Sequence, residues 1–285
     1  MNNFRMIIRN IILFIVLLLP LVEARADKRE EVEIDTPHHL IGVIDQRLLA
    51  VGYSGKEKFV YDVSWTGGLK IGELHLEVNV ISEMEDSYEI RAFVTTQNGA
   101  LNLIYPIEDL HVTKVRGPNR LPYHYEVWQK EGYNYRAHRV FEYDQQSGYI
   151  RYMKNDKLQG EYQIKGETNN EFSSFFNSRL MPFDIGGQFV VPTFADKRKV
   201  NVVVHAVAQK SFEETILGPV STVEIMPVMT FEGLYEKKGD TVIWYTDDEC
   251  RVPVRINSKI IIGSLTANLT AYENSACKLY PPIKK

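Results

Sequence analysis

The chain has 285 residues, with 33 Lys and Arg against 37 Asp and Glu, a formal charge of −4, and 44% hydrophobic residues. That length holds one large β domain or two small ones, and the acidic balance leaves no basic surplus for nucleic acid or anionic lipid headgroups. No long Pro/Gly/Ser linker divides the chain, so one β domain over residues 39–273 is expected, followed by a tail over 274–285.

Arg5 and Arg9 precede an apolar run from Ile11 to Val22, and Ala24, Arg25 and Ala26 make a small-x-small site before Asp27. This is the anatomy of a secretory signal peptide over residues 1–26, cleaved after Ala26. The alternative is a retained membrane anchor. The run is about 12 residues long and interrupted by Pro20, short of the roughly 20 that span a bilayer. Cleavage leaves an exported chain that does not span the membrane, periplasmic in a two-membrane cell, and its formal charge moves to about −6. Residues 27–38 are charged and read as a disordered lead-in. His38 and His39 are adjacent in extended chain and point apart, a poor metal pair. Ile41 to Leu49 is apolar and is expected to cover one end of a sheet.

Strands begin at Glu57. Phe59, Tyr61, Val63 and Trp65 alternate with Lys58, Val60, Asp62 and Ser64, the period of a strand with one apolar face. After Gly67 and Gly68, Leu69 and Ile71 share one parity while Leu74, Leu76, Val78 and Val80 take the other. A β-bulge at Gly72 is expected to swap the faces and bend the strand. Tyr88–Gln97, Ile107–Arg116, Pro122–Lys130, Tyr133–Tyr143, Tyr149–Met153 and Leu158–Ile164 continue the meander. Its many tyrosines suit broad β surfaces, either a face that binds a lipid chain or polysaccharide or an ordinary sheet core.

One helix is expected over Asn170–Leu180, where Phe172, Phe175, Phe176 and Leu180 recur at helical spacing and Asn169 or Asn170 serves as cap. It reads as a hydrophobic stopper. Phe189–Phe194, Lys199–Ala208, Ser211–Leu217 and Val220–Val228 return to strands. Thr241–Thr246, an acidic turn of Asp247, Asp248 and Glu249, Arg251–Ile256, a turn at Asn257, Ser258 and Lys259, and a third strand from Ile260 complete the pattern. Cys250 and Cys277 either form a disulfide, expected in an oxidising compartment, or stay unpaired. Their spacing fits no metal motif.

Trp244, Asp247, Asp248, Arg251, Pro253, Val254, Gly263, Ser264, Thr266, Ala267 and Leu269, with Phe59, Tyr61, Trp65, Gly72, Gly218, Thr222 and Val223, stand in an order that resembles the bacterial family called domain of unknown function 3108. The likeness runs from about Glu57 to Tyr272. It implies a barrel-like, lipoprotein-carrier-like architecture and names no activity.

These patterns together predict a mainly β fold, a strongly curved antiparallel sheet forming a closed or half-open barrel with one internal helix, with a β-sandwich as the alternative. No G-x-S-x-G elbow, H-E-x-x-H or phosphate loop is present, and His75, His111, His124, His138 and His205 stand singly, so no enzyme activity, cofactor or metal is expected. The acidic trio lacks the ligand spacing of a calcium loop. Paired carboxylates for glycoside hydrolysis depend on a separation that sequence does not give. The expected function is binding or carriage of a lipid or other apolar envelope component, with Trp65, Trp128, Trp244, Phe172, Phe175 and Phe176 as lining or plug residues. The alternatives are an envelope scaffold that docks protein partners and a polysaccharide-binding module.

Overall fold

The computed structural model describes residues 41–230, 241–260 and 263–283. The expected signal peptide, the charged lead-in, His38 and His39 lie outside them. Helix α1 (Gln46–Gly52) leads into β1 (Lys56–Trp65), β2 (Leu69–Val80), β3 (Ser87–Thr95), β4 (Ile107–Arg116), β5 (Leu121–Glu131), β6 (Tyr135–Asp144), β7 (Tyr149–Lys154) and β8 (Lys157–Gln163). Helix α2 (Glu171–Ser178) follows, then β9 (Gln188–Ala195), β10 (Arg198–Phe212), β11 (Val220–Thr230), β12 (Thr241–Thr246), β13 (Pro253–Lys259) and β14 (Ser264–Asn274).

All fourteen strands join one antiparallel sheet in the order β8-β7-β6-β5-β4-β3-β2-β1-β14-β13-β12-β11-β10-β9. The first and last strands pair at its centre, and two meandering wings curl away from them. The wings meet through side chains instead of a ladder: Tyr162 of β8 lies 5.2 Å from Phe194 of β9, and Tyr143 lies 6.3 Å from the same ring. The free edge of β9 is capped by short parallel bridges from Ile41 and Asn169, with Asn169 donating to Pro192 O and accepting from Phe194 N. The barrel is therefore half-open in its hydrogen bonding.

Bulges supply the curvature, because an extra residue in one strand raises local twist and bend. In the pairing of β1 with β2, Val63 faces Gly72 and Ser64 faces Lys70, so Ile71 is the extra residue where the hydrophobic parity changes. Gly72 is required there: a Cβ would come within 2.3 Å of Thr95 O. A second bulge, at Ala206 to Ala208, shifts the parity of β10 without ending it. The expected strand over Ser211–Leu217 is thus the end of one 15-residue strand running to Phe212, followed by a loop. Likewise Asn257, Ser258 and Lys259 do not turn but continue β13, with buried Ser258 hydrogen-bonded to Thr241 at 2.8 Å. The third strand starts at Ser264.

Helix α2 plugs the interior. Asn170 caps it through a reciprocal pair with Ser173 and reaches Thr113 Oγ1 of β4 at 2.8 Å, which satisfies amides that burial would otherwise strand. Phe172 packs on His111 and Tyr125, and Phe176 on Phe59. Each such ring contributes roughly 1.5–3 kcal/mol by leaving water. Just past the helix, Arg179 is fully enclosed and donates to Glu57 at 2.5 Å.

Strand polarity separates two ends in the first wing. The β1–β2, β3–β4, β5–β6 and β7–β8 turns lie together at one end. At the other are α1, the β2–β3 and β4–β5 turns, and the tail. There Asn274 Nδ2 donates to Val51 O and a Cys250–Cys277 disulfide ties the acidic turn to the tail.

Candidate functional site

The site builds from the end of β10. Ladder pairing with β9 stops at His205, Ala206 exchanges backbone hydrogen bonds with Gly186 and Gly187, and the stretch from Val207 to Phe212 then has β11 as its one ladder partner. It leans over the outer face of the sheet, where Phe212 meets Trp244 of β12 edge-on at 6.0 Å. The following loop is knotted by Thr215, whose hydroxyl donates to Gly218 O and accepts from Leu217 N. Gly218 carries the positive φ of 86° that closes this turn.

Beneath the overhang, Glu224, Trp244, Arg255 and Asn268 stand opposite one another on β11 to β14. They have the parity opposite to buried Ile225, Ile243, Ile256 and Ala267. Trp244 Nε1 donates to Glu224 Oε2 at 3.0 Å, and Arg255 Nε donates to Asn268 Oδ1 at 2.7 Å. The Arg255 guanidinium also lies 4.8 Å from the Phe212 ring centre, and Lys210 Nζ lies 5.3 Å from the same centre. The Phe212 ring and the Asn268 amide hold the Arg255 guanidinium in place without neutralising it.

The overhang and this floor enclose a groove of about 570 Å³. Phe212, Ile216, Val254 and Leu269 give it apolar surface, Arg255 and Asn268 a fixed cation and an amide, and Glu213 and Glu214 an acidic lip. Concave, partly apolar sites of a few hundred cubic ångströms with a few fixed polar groups are where small ligands bind.

The six aromatic residues singled out from sequence do not gather at one place. Phe172 and Phe176 are buried in the core, and Phe175 packs against it beside Tyr245. Trp128 is on the outer face, stacked on His138 at 5.4 Å, and Trp65 sits at the tip of β1; both are about two-fifths exposed. Only Trp244 borders the groove, through Phe212. The groove residues Phe212, Ile216, Arg255 and Asn268 carried no sequence motif. The usable signal was the cross-strand register of β12 to β14, which follows only once pairing is known.

Two polar constellations were also hidden. On the outer face Glu126 accepts from both imidazoles that flank it, His138 Nε2 at 2.6 Å and His124 Nε2 at 3.3 Å, while His124 Nδ1 lies 2.8 Å from Glu142. Among the described residues no three such groups converge on a metal-sized point. Inside the barrel, burial pushes Asp109 up to about 6, against the hydrogen bonds of Lys130 N–H, Gln129 and Glu131. Burial also lifts Glu171 to about 7 and lowers His111 to about 3.

A strongly curled antiparallel sheet, plugged by a helix and grooved on its outer face, defines a β-barrel-like protein. Residues 60–270 match the model of the family described as protein of unknown function DUF3108, and the chain belongs to that family. Among solved structures it is similar to the β-barrel-like protein of domain of unknown function DUF1849 from Brucella abortus, at 12% identity and a TM-score of 0.51 over 77% of this chain and 98% of that one. The Pseudomonas aeruginosa MucA/MucB complex aligns at 8% identity over 84% and 96% of the chains with a TM-score of 0.18, too low to carry structural meaning. No curated protein matches.

Proposed function

We propose that this chain is an exported, non-enzymatic binding protein of the cell envelope that holds a single-chain zwitterionic amphiphile in the groove beneath the β10–β11 loop. The groove carries the reading. Its apolar surface suits an acyl chain, Arg255 suits a phosphate, and Glu213 and Glu214 at the lip suit an ammonium group. The signal-peptide anatomy of residues 1–26 supports export. The interior helix is the plug of the core, so the ligand site moves from the phenylalanines of α2 to Phe212 and Ile216.

Titration of delipidated protein with a lysophosphatidylethanolamine tests this, with Trp65 and Trp128 changed to Phe so that Trp244 alone reports. Saturable change in Trp244 emission is expected, abolished by Phe212→Asp and weakened by Arg255→Gln. A folded Phe212→Asp variant that binds like its parent overturns the groove assignment.

A further inference from the structure

We propose that the end of the barrel formed by the β1–β2, β3–β4 and β5–β6 turns docks on an anionic lipid bilayer surface. This stands independently of the groove, which lies elsewhere on the sheet.

The turns are unusually apolar for exposed chain. Leu69 is 53% exposed, Leu103 85%, Ile104 64% and Tyr133 70%. They form one patch, not scattered tips. Tyr133 Oη donates to Leu103 O at 3.1 Å, and Gly132 N donates to Pro106 O at 2.8 Å, which binds the second and third turns together. Gly99 sits against the backbone of Ile71 and Gly72, where a Cβ would come within 2.0 Å of Ile71 O, so the β3–β4 loop is pressed onto β2 beside the first turn. Trp65 ends β1 at that first turn. Large exposed apolar patches mark interaction sites, and Trp and Tyr at the margin of such a patch are the residues that settle at a membrane–water interface.

Charge selects the partner. From Thr96 to Pro106 the β3–β4 loop contains no charged residue. Around it, Lys70 faces two acids, Asp62 and Glu73, which leaves one negative charge, and Lys130 is matched by Glu108. Exposed Arg136, Lys157 and Lys259, with half-buried Lys154, then outnumber the exposed Asp156. Acids collect at the opposite end instead, at Glu83, Glu85 and Asp86 between β2 and β3 and at Asp247, Asp248 and Glu249. A chain of negative net charge therefore presents a locally basic, apolar-tipped end, which fits phosphate headgroups over an acyl layer.

Flotation of the protein with phosphatidylglycerol-containing vesicles tests the proposal, alongside pure phosphatidylcholine vesicles. Binding to the anionic vesicles is expected, weakened by salt. The Leu103→Asp/Ile104→Asp variant should lose about tenfold or more in partitioning, and Arg136→Glu/Lys157→Glu should lose the anionic preference. Both positions of the first variant are exposed, so circular dichroism should match the parent. With Trp65 as the sole tryptophan, a blue shift and quenching by brominated lipid would report insertion without any change in the patch. Equal recovery of parent and Leu103→Asp/Ile104→Asp protein with anionic vesicles overturns the proposal. So does a dimer in sedimentation equilibrium that the same variant dissociates, since the patch would then serve a second copy.

Discussion

Replacing Arg179 by Met tests whether the plug helix is fastened by its buried ion pair. Arg179 and Glu57 are both fully enclosed, joined by a 2.5 Å hydrogen bond, and Tyr272 Oη and Asn274 Nδ2 donate to the other carboxylate oxygen at 3.3 and 3.0 Å. The guanidinium also lies over Phe59 and Phe176 at 5.3 and 5.6 Å. Removing the cation leaves a buried carboxylate with only neutral donors, a change that costs about 3–5 kcal/mol, a large share of the roughly 5–15 kcal/mol that holds a domain. Burial already pushes Glu57 up from its ordinary 4.5, while Arg179, Asn274 and Tyr272 pull it back. Without Arg179 it rises further. A raised folded value means stability is present below pH 4.5 and lost as pH climbs through the folded value, so the deficit of Arg179→Met should be larger at pH 8 than at pH 5. The double variant Glu57→Gln/Arg179→Met should recover much of it. Urea unfolding followed by circular dichroism gives all four corners of the cycle. Additive losses, with a deficit equal at pH 5 and 8, would refute the reasoning.

Asp109→Asn should leave stability near pH 3 little changed and raise it toward pH 8 by up to about 3 kcal/mol, because burial lifts the wild-type carboxyl from 3.8 to about 6 and its proton is lost in that window; thermal melts across pH check this, and a constant gap at all pH values would contradict it. Cys250→Ser/Cys277→Ser opens a link between residues 27 apart and should lower stability by roughly 3–4 kcal/mol, with dithiothreitol reproducing the loss in the parent but not in the variant; an unchanged urea midpoint would show that the tie between turn and tail is dispensable.

What the sequence made legible was local and periodic. The alternation of Phe59, Tyr61 and Val63 located the core face of β1, the parity change at Gly72 located a bulge, and the phenylalanine stripe located α2, because each depends on neighbours along the chain. Where a polar and an apolar residue exchanged their usual faces, the reading failed. In β5, Gln129 and Glu131 are buried while Trp128, the residue before them, is exposed, so aromatic character alone misplaced that residue. The groove was illegible for another reason. Phe212 and Arg255 are 43 positions apart and belong to different hairpins, brought together by a curl that arises from a bulge at Ala206 and from β10 outlasting its neighbour. The histidines looked solitary because His138 meets Glu126, and His124 meets Glu142, across the β5–β6 ladder.

The most direct test of the central claim is mass spectrometry of solvent extracts from the protein, purified without detergent from its own cells, beside the Phe212→Asp variant. A near-stoichiometric single-chain zwitterionic amphiphile is expected in the parent and absent in the variant. Equal lipid in both samples, or none in either, would contradict a ligand in the groove.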